Sequence, residues 1–173
     1  MPWIMVDIEA DGPIPGDYSM VAIGAVDTSN IKRTFYGKLK PISDNYIPRA
    51  LQICGFSRKQ TLRFPEPYDT MIEFEEWLKS IGNPMFISDN NGFDYMFVCW
   101  YFWHFLGRNP FGHSSTNLGS LYKGMNKNIF DKLQRFRKKV AKTKHDHNPV
   151  NDAMANVEAF HAMIDMGIKI SKK

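Results

Sequence analysis

The stretch that most narrows the folding options is YMFVCWYFWHFLG, residues 95–107. Crossing a bilayer as a helix takes about 20 apolar residues, so this run is too short to span one, and it carries a histidine. Read as a helix it is apolar nearly all round and needs cover on more than one side. A protein core supplies that cover. A second copy of the chain is the alternative, which keeps a homodimer open. A chain of 173 residues, 43% hydrophobic and 14% aromatic, is long enough to build such a core as one domain spanning 1–173.

Three extended segments precede this helix. WIMVDI reads as a short apolar strand, and YSMVAIGAVD and IKRTFYGKLKP read as two more, joined by a turn at 27–30. In PYDTMIEFEEWLKSIG, Met71, Phe74, Trp77, Leu78 and Ile81 fall at helical spacing and the pattern stops at Gly82. NPMFIS is then a buried strand leading into the aromatic helix. From 129 to 142, Ile129, Leu133, Phe136 and Val140 mark one packing face, beside a basic stripe of Arg135, Lys138, Lys139 and Lys142. A last helix starts after Asn148 as N-cap, with Pro149 at its first position, and buries Ala153, Val157, Phe160 and Ile164. Antiparallel strands followed by alternating helix and strand predict an α/β fold with a mixed central sheet of about five strands.

The net charge of +4 favours polyanionic partners without requiring them. Cys54 and Cys99 lack metal spacing and cannot form a disulfide framework, which fits a reducing compartment. The opening MPWIMVDIEADG has no basic region of the secretory kind. The expected setting is cytoplasmic, with no membrane association.

Three clusters of polar residues carry chemistry. Side chains alternate along a strand, so Asp7 and Glu9 project from one face. Adjacent carboxylates repel and need a cation, a proton or water; a solvated strand end is the ordinary alternative. Asp11 and Gly12 make the following turn, with Asp11 a second-rank ligand candidate. SDNNGFD, residues 88–94, reads as a loop whose Asp94 either favours the positive end of the next helix or adds a third acid at a strand's carboxyl end, where ligands bind in open α/β sheets. In HDHNPVNDA, residues 145–153, His147 and Asp152 are a surface histidine and a first-turn acid, or parts of a site. A zinc site using His145 and His147 is a third reading, but no cysteine lies nearby, and carboxylate ligands suit Mg²⁺ or Mn²⁺.

Asp7-x-Glu9 on a first strand, N-x-x-F-D ending at Asp94, and His147 with Asp152 as H-x4-D resemble, in that order, the three motifs of the DEDDh 3'-5' exonucleases. These are the DnaQ-like branch of the ribonuclease H-like superfamily. SMVAIGAV, ALQICGFS and HNPVNDA resemble further segments of the family, so the likeness covers most of the chain. Two departures are visible: Asp89 stands where many members have histidine, and the residues between His147 and Asp152 differ from the common version. No tyrosine precedes Asp152 at Y-x3-D spacing, which selects the histidine subtype.

The resemblance implies a ribonuclease H-like fold and two divalent ions, Mg²⁺ or Mn²⁺, about 4 Å apart. Asp7 would bridge them, Glu9 and Asp152 would hold the ion that activates water, and Asp94 would hold the other. His147 would be the general base, since an imidazole with an ordinary pKa of about 6.5 can take a proton near neutral pH. The expected substrates are single-stranded 3' ends, RNA ahead of DNA, released as nucleoside 5'-monophosphates; a DNA-directed proofreading or repair enzyme is the alternative. Tyr18 and Met20 would read the terminal nucleotide, Phe93 would pack beneath Asp94, and Arg135, Lys138, Lys139 and Lys142 would hold the backbone. His145, seven residues before Asp152, is set aside on spacing, and Asp146 is a loop residue. The rival reading is a non-catalytic nucleic-acid-binding module on the same fold, in which at least one of the five motif residues should be missing.

Overall fold

The first strand carries two kinds of residue, and the sheet sorts them. In the computed structural model, which describes residues 2–170, β1 (Trp3–Ala10), β2 (Met20–Asp27) and β3 (Thr34–Lys38) form an antiparallel meander. Two further strands, β4 (Met85–Ser88) and β5 (Ser115–Asn117), extend the other side in parallel, giving the order β3-β2-β1-β4-β5. The expected mixed five-stranded sheet is therefore present. Seven helices complete the described chain: α1 (Pro48–Ile53), α2 (Arg58–Thr61), α3 (Pro67–Ile81), α4 (Asn91–Leu106), α5 (Leu118–Met125), α6 (Leu133–Val140) and α7 (Pro149–Asp165).

One sheet face presents Ile4, Val6 and Ile8 to Met71, Phe74 and Leu78 of α3 and Phe97, Tyr101 and Phe102 of α4. The opposite face presents Met5, Val26 and Ile87 to Ala153, Val157 and Phe160 of α7. Because the strand repeats every two residues, Asp7 and Glu9 fall on the same side as Met5, under α7. Gly24 sits opposite Asp7 in the ladder. A Cβ there would lie 2.3 Å from the Pro149 carbonyl carbon and 2.4 Å from the Val150 nitrogen, so only glycine lets the start of α7 come down onto the sheet.

Three expectations need adjustment. The aromatic helix α4 buries Phe97, Val98, Tyr101 and Phe102, yet Trp103 is 49% exposed, so cover reaches only one side. The helix expected from 129 begins at Leu133, leaving Ile129 74% exposed before it and Lys142 beyond its end. The reason is local: Asn126 and Asn128 donate to Asp131 Oδ2 and Oδ1 at 2.7 and 2.9 Å, and this side-chain bonding competes with helical geometry. Ile164 is only partly buried. The short elements α1, α2, α5 and β5 were not anticipated, although α2 carries a legible capping box between Ser57 and Gln60. Among the described residues no helix is long and apolar enough to cross a membrane.

Candidate active site

The start of α7 is built as the sequence indicated. Asn148 caps it by accepting from the Val150 and Asn151 amides, and Pro149 follows at the first position. That places Asp152 in the first turn, 1% exposed, facing β1 across the gap Gly24 leaves open. Carboxylate oxygens of Asp7, Glu9 and Asp152 lie within 4.8 Å of one another. Asp94, in the first turn of α4 and 2% exposed, joins them electrically: its charge is among those that oppose ionisation of Asp7.

These acids are held in an unfavourable state. Burial pushes the Asp7 carboxyl well above the usual range, and Asp94, Asp89, Glu9 and Asp152 add repulsion. Asp94 is raised well above it too, by burial and then by Asp89, against the Ile8 and Asn90 amides. Burial also raises Glu9 and Asp152. The buried Asp94 Oδ2 has no hydrogen-bond partner. Unpaired buried carboxylates are costly, and an all-oxygen donor set that lacks positive charge fits hard divalent cations such as Mg²⁺ or Mn²⁺. Asp11, the second-rank candidate, is already engaged: it accepts from the Ser19 amide at 2.6 Å and from Arg58 at 3.0 Å.

Both histidines reach this cluster, in different ways. His147 takes φ 62°, a left-handed conformation uncommon outside glycine, and its exposed ring puts Nδ1 3.8 Å from Glu9 Oε1. His145, set aside on spacing, places Nδ1 2.8 Å from Asp152 Oδ2. His145, His147 and Asp152 form a second close group of ligand atoms, the one the zinc reading requires, although it contains only a single carboxylate. Asp146 does more than fill the loop, because its amide donates to Asp152 Oδ1 at 2.9 Å and its carboxylate accepts from Asn151.

The substrate-binding candidates divide. Lys138 and Lys142 line a cavity of about 520 Å³ with Arg137, Lys144, His145 and His147. Arg135 and Lys139 are exposed on α6 and are not among its lining residues. Met20 is a correction. At 0% exposure its side chain lies in the α4 core, with its amide hydrogen-bonded to the Tyr101 hydroxyl at 2.8 Å, so it has no face open to a nucleotide. Tyr18 is half-buried, its ring over Gly12, where a Cβ would come within 2.0 Å of it. Phe93 packs against Phe97, the rings tilted by 58° with their centroids 5.0 Å apart.

Sequence reasoning missed Arg137. Its Nη1 donates to Asp89 Oδ2 at 2.7 Å and to Asn156 Oδ1 at 2.6 Å, in a buried position that joins α6 to α7 and to the end of β4. The signal was Asp89 itself, since a further acid among four others calls for a cation.

A five-stranded mixed sheet whose first strand, α4 start and last helix bring four acids together defines a ribonuclease H-like nuclease. The model of the exonuclease family RNase_T matches residues 4–160. A curated relative from Escherichia coli, the 3'-5' DNA exonuclease Cap18, is 37% identical over 180 residues, covering 99% of this chain and 94% of its own. The chain belongs to the DEDDh, DnaQ-like 3'-5' exonuclease family. Among solved structures, the nuclease domain of 3'hExo bound to rAMP superposes with TM-score 0.78 at 18% identity, covering 99% of this chain and 96% of that one. Cell-death related nuclease 4 gives 0.76 at 15% identity over 96% and 64%. E. coli Exonuclease I in complex with a dT13 oligonucleotide gives 0.74 at 15% identity over 95% and 40%.

Proposed function

We propose that the chain acts as one DEDDh exonuclease domain that removes nucleoside 5'-monophosphates from the 3' ends of single-stranded nucleic acid. The observation that carries this reading is the Asp7, Glu9 and Asp152 cluster within 4.8 Å, beside the orphaned Asp94 oxygen. Asp7, Glu9, Asp152 and Asp94 would hold two divalent cations, Mg²⁺ or Mn²⁺. When bound, the cations would supply Lewis-acid polarisation of the scissile phosphate and stabilise charge on the leaving 3'-oxygen.

The chain's own groups do the rest. His147 accepts the proton of the attacking water at its ring, and Glu9, 3.8 Å from its Nδ1, stabilises the charge the ring acquires. Asp152 is held for its task by the Asp146 amide and by the cap at Asn148. Lys138 and Lys142, next to His147, meet the phosphate backbone. DNA is the preferred substrate. This moves away from the RNA preference expected from the sequence, because the 37% identical relative is named a DNA exonuclease. A homodimer, if formed, would seat on the uncovered α4 face around Trp100 and Trp103.

The test is a time course on 5'-labelled single-stranded DNA and RNA of one sequence, with Mg²⁺, Mn²⁺ or EDTA, beside Asp7→Ala and His147→Ala. The expected result is a metal-dependent ladder shrinking from the 3' end, faster on DNA and lost in both variants. Intact label with retained binding would replace the exonuclease by a non-catalytic binding module.

A further inference from the structure

The loop at 126–132 exposes more apolar surface than its surroundings explain. Ile129 is 74% and Phe130 83% exposed, the two most exposed large hydrophobic side chains among the described residues. The loop is not slack. Asn126 and Asn128 bond both oxygens of Asp131, the Phe130 amide donates to Asn128 Oδ1 at 3.0 Å, and the Asn128 amide donates to the Lys123 carbonyl at 3.0 Å. Lys127 takes φ 53° at the bend. A loop pinned in this way holds Phe130 out in water at a hydrophobic cost, and a pre-ordered side chain loses little entropy when something covers it.

The neighbourhood identifies what would cover it. Ile129 and Phe130 line a groove of about 580 Å³ together with Lys123, Lys132 and Asp89. Asp89 accepts from Arg137, and Arg137 and Gln134 line the cavity that also holds His145 and His147, so the groove adjoins the candidate active site. Its acids are already engaged, Asp89 by Arg137 and Asp131 by the two asparagines. Free positive charge beside an exposed ring, continuous with a site for phosphodiesters, matches a nucleotide: a flat base for the phenyl face and a phosphate for the ammonium groups.

We propose that Phe130, which lines one groove with Lys123 and Lys132, is a stacking platform for a base on the 5' side of the scissile bond, making the enzyme favour longer single strands. The proposal rests on the single-stranded substrate reading above. The test compares the wild-type enzyme with Phe130→Ala and Phe130→Tyr on a trinucleotide and on an oligonucleotide of about twelve nucleotides. Phe130→Ala should raise KM for the long substrate about tenfold, the order of a lost base–aromatic stack, while kcat changes far less; Phe130→Tyr should restore it. A 2-aminopurine placed several bases from the 3' end should be quenched on binding to the Asp7→Ala protein, with quenching lost when Phe130→Ala is added.

Equal KM changes on both lengths, no change on either, or unaltered quenching would overturn the platform. So would a shift in sedimentation of Phe130→Ala with an unchanged KM, which would make the ring a protein contact. If the wild type itself leaves both substrates intact while Asp7→Ala does the same, it is the exonuclease reading that fails, and the quenching experiment still decides whether Phe130 meets a base.

Discussion

Glu75 of α3 and the acids of the candidate active site are all buried, yet they are treated in opposite ways. Glu75 of α3 accepts from Arg108 Nε at 2.5 Å and Nη2 at 2.7 Å, and from Lys79 at 2.6 Å. Those bonds, the Arg108 ones foremost, hold its carboxyl down at about 2. Asp7, Glu9, Asp94 and Asp152 are all raised by burial, and Asp94 keeps an oxygen with no partner. The chain supplies cations where an acid serves the fold. It withholds them where the charge is meant for something that arrives later.

The sharpest way to break this comparison is Asp7→Asn. Activity should fall about a thousandfold or more, because a ligand shared by the whole cluster is lost. The metal-free protein should nevertheless melt higher, by about 2–4 °C, since at neutral pH the substitution removes a charge the fold disfavours. Mg²⁺ should raise the wild-type melting temperature and leave the variant unmoved; a variant less stable than the metal-free wild type would end the argument. His147→Ala comes next, with a loss of about a hundredfold to ten-thousandfold in kcat and the Mg²⁺-induced stabilisation retained, readable by calorimetry beside a rate assay.

Gly24→Ala probes the distance between the two halves of the site. The added methyl meets the Pro149 and Val150 backbone, so α7 must lift. We expect a cost of about 1–3 kcal/mol in urea unfolding and about a hundredfold lower activity from the displaced Asp152. Unchanged kinetics would show that Asp152 tolerates the movement.

The smallest effect on activity is expected from Glu75→Gln, which should leave the rate near wild type and lower stability at neutral pH. The sign follows from the depressed carboxyl: its stabilisation is present above 4.5 and fades as pH falls toward about 2, so the two proteins should converge in acid. The metal-free acid cluster has the reverse signature. Its folded-state pKa values are raised, so its charges weaken the fold at neutral pH and that penalty lifts as pH falls through the raised values. Thermal scans against pH, with and without Mg²⁺, separate the two regions.

Much of the site was readable because it is local. Period two puts Asp7 and Glu9 on one face, and the Asn148-Pro149 start fixes where Asp152 falls on its helix. The resemblance, carried by motifs spread along the chain, named the right family, whereas several readings made segment by segment failed. Apolar spacing placed Ile129 in a helix that asparagine and aspartate side chains prevent, and the resemblance made Met20 a substrate contact when it belongs to the α4 core. His145 was discarded by counting residues, yet the loop folds it onto Asp152.

The sequence by itself determined the order of the acids, the strand and helix that carry them, and the face each would occupy on its own element, because backbone periodicity and capping act over a few residues. Only the tertiary structure decided how near those faces come. Gly24 admits α7, Arg137 ties Asp89 to Asn156, and Phe130 and Asp89 come to line one groove, each through contact between segments far apart in the chain. Such contacts depend on how whole surfaces pack, and no local pattern encodes that.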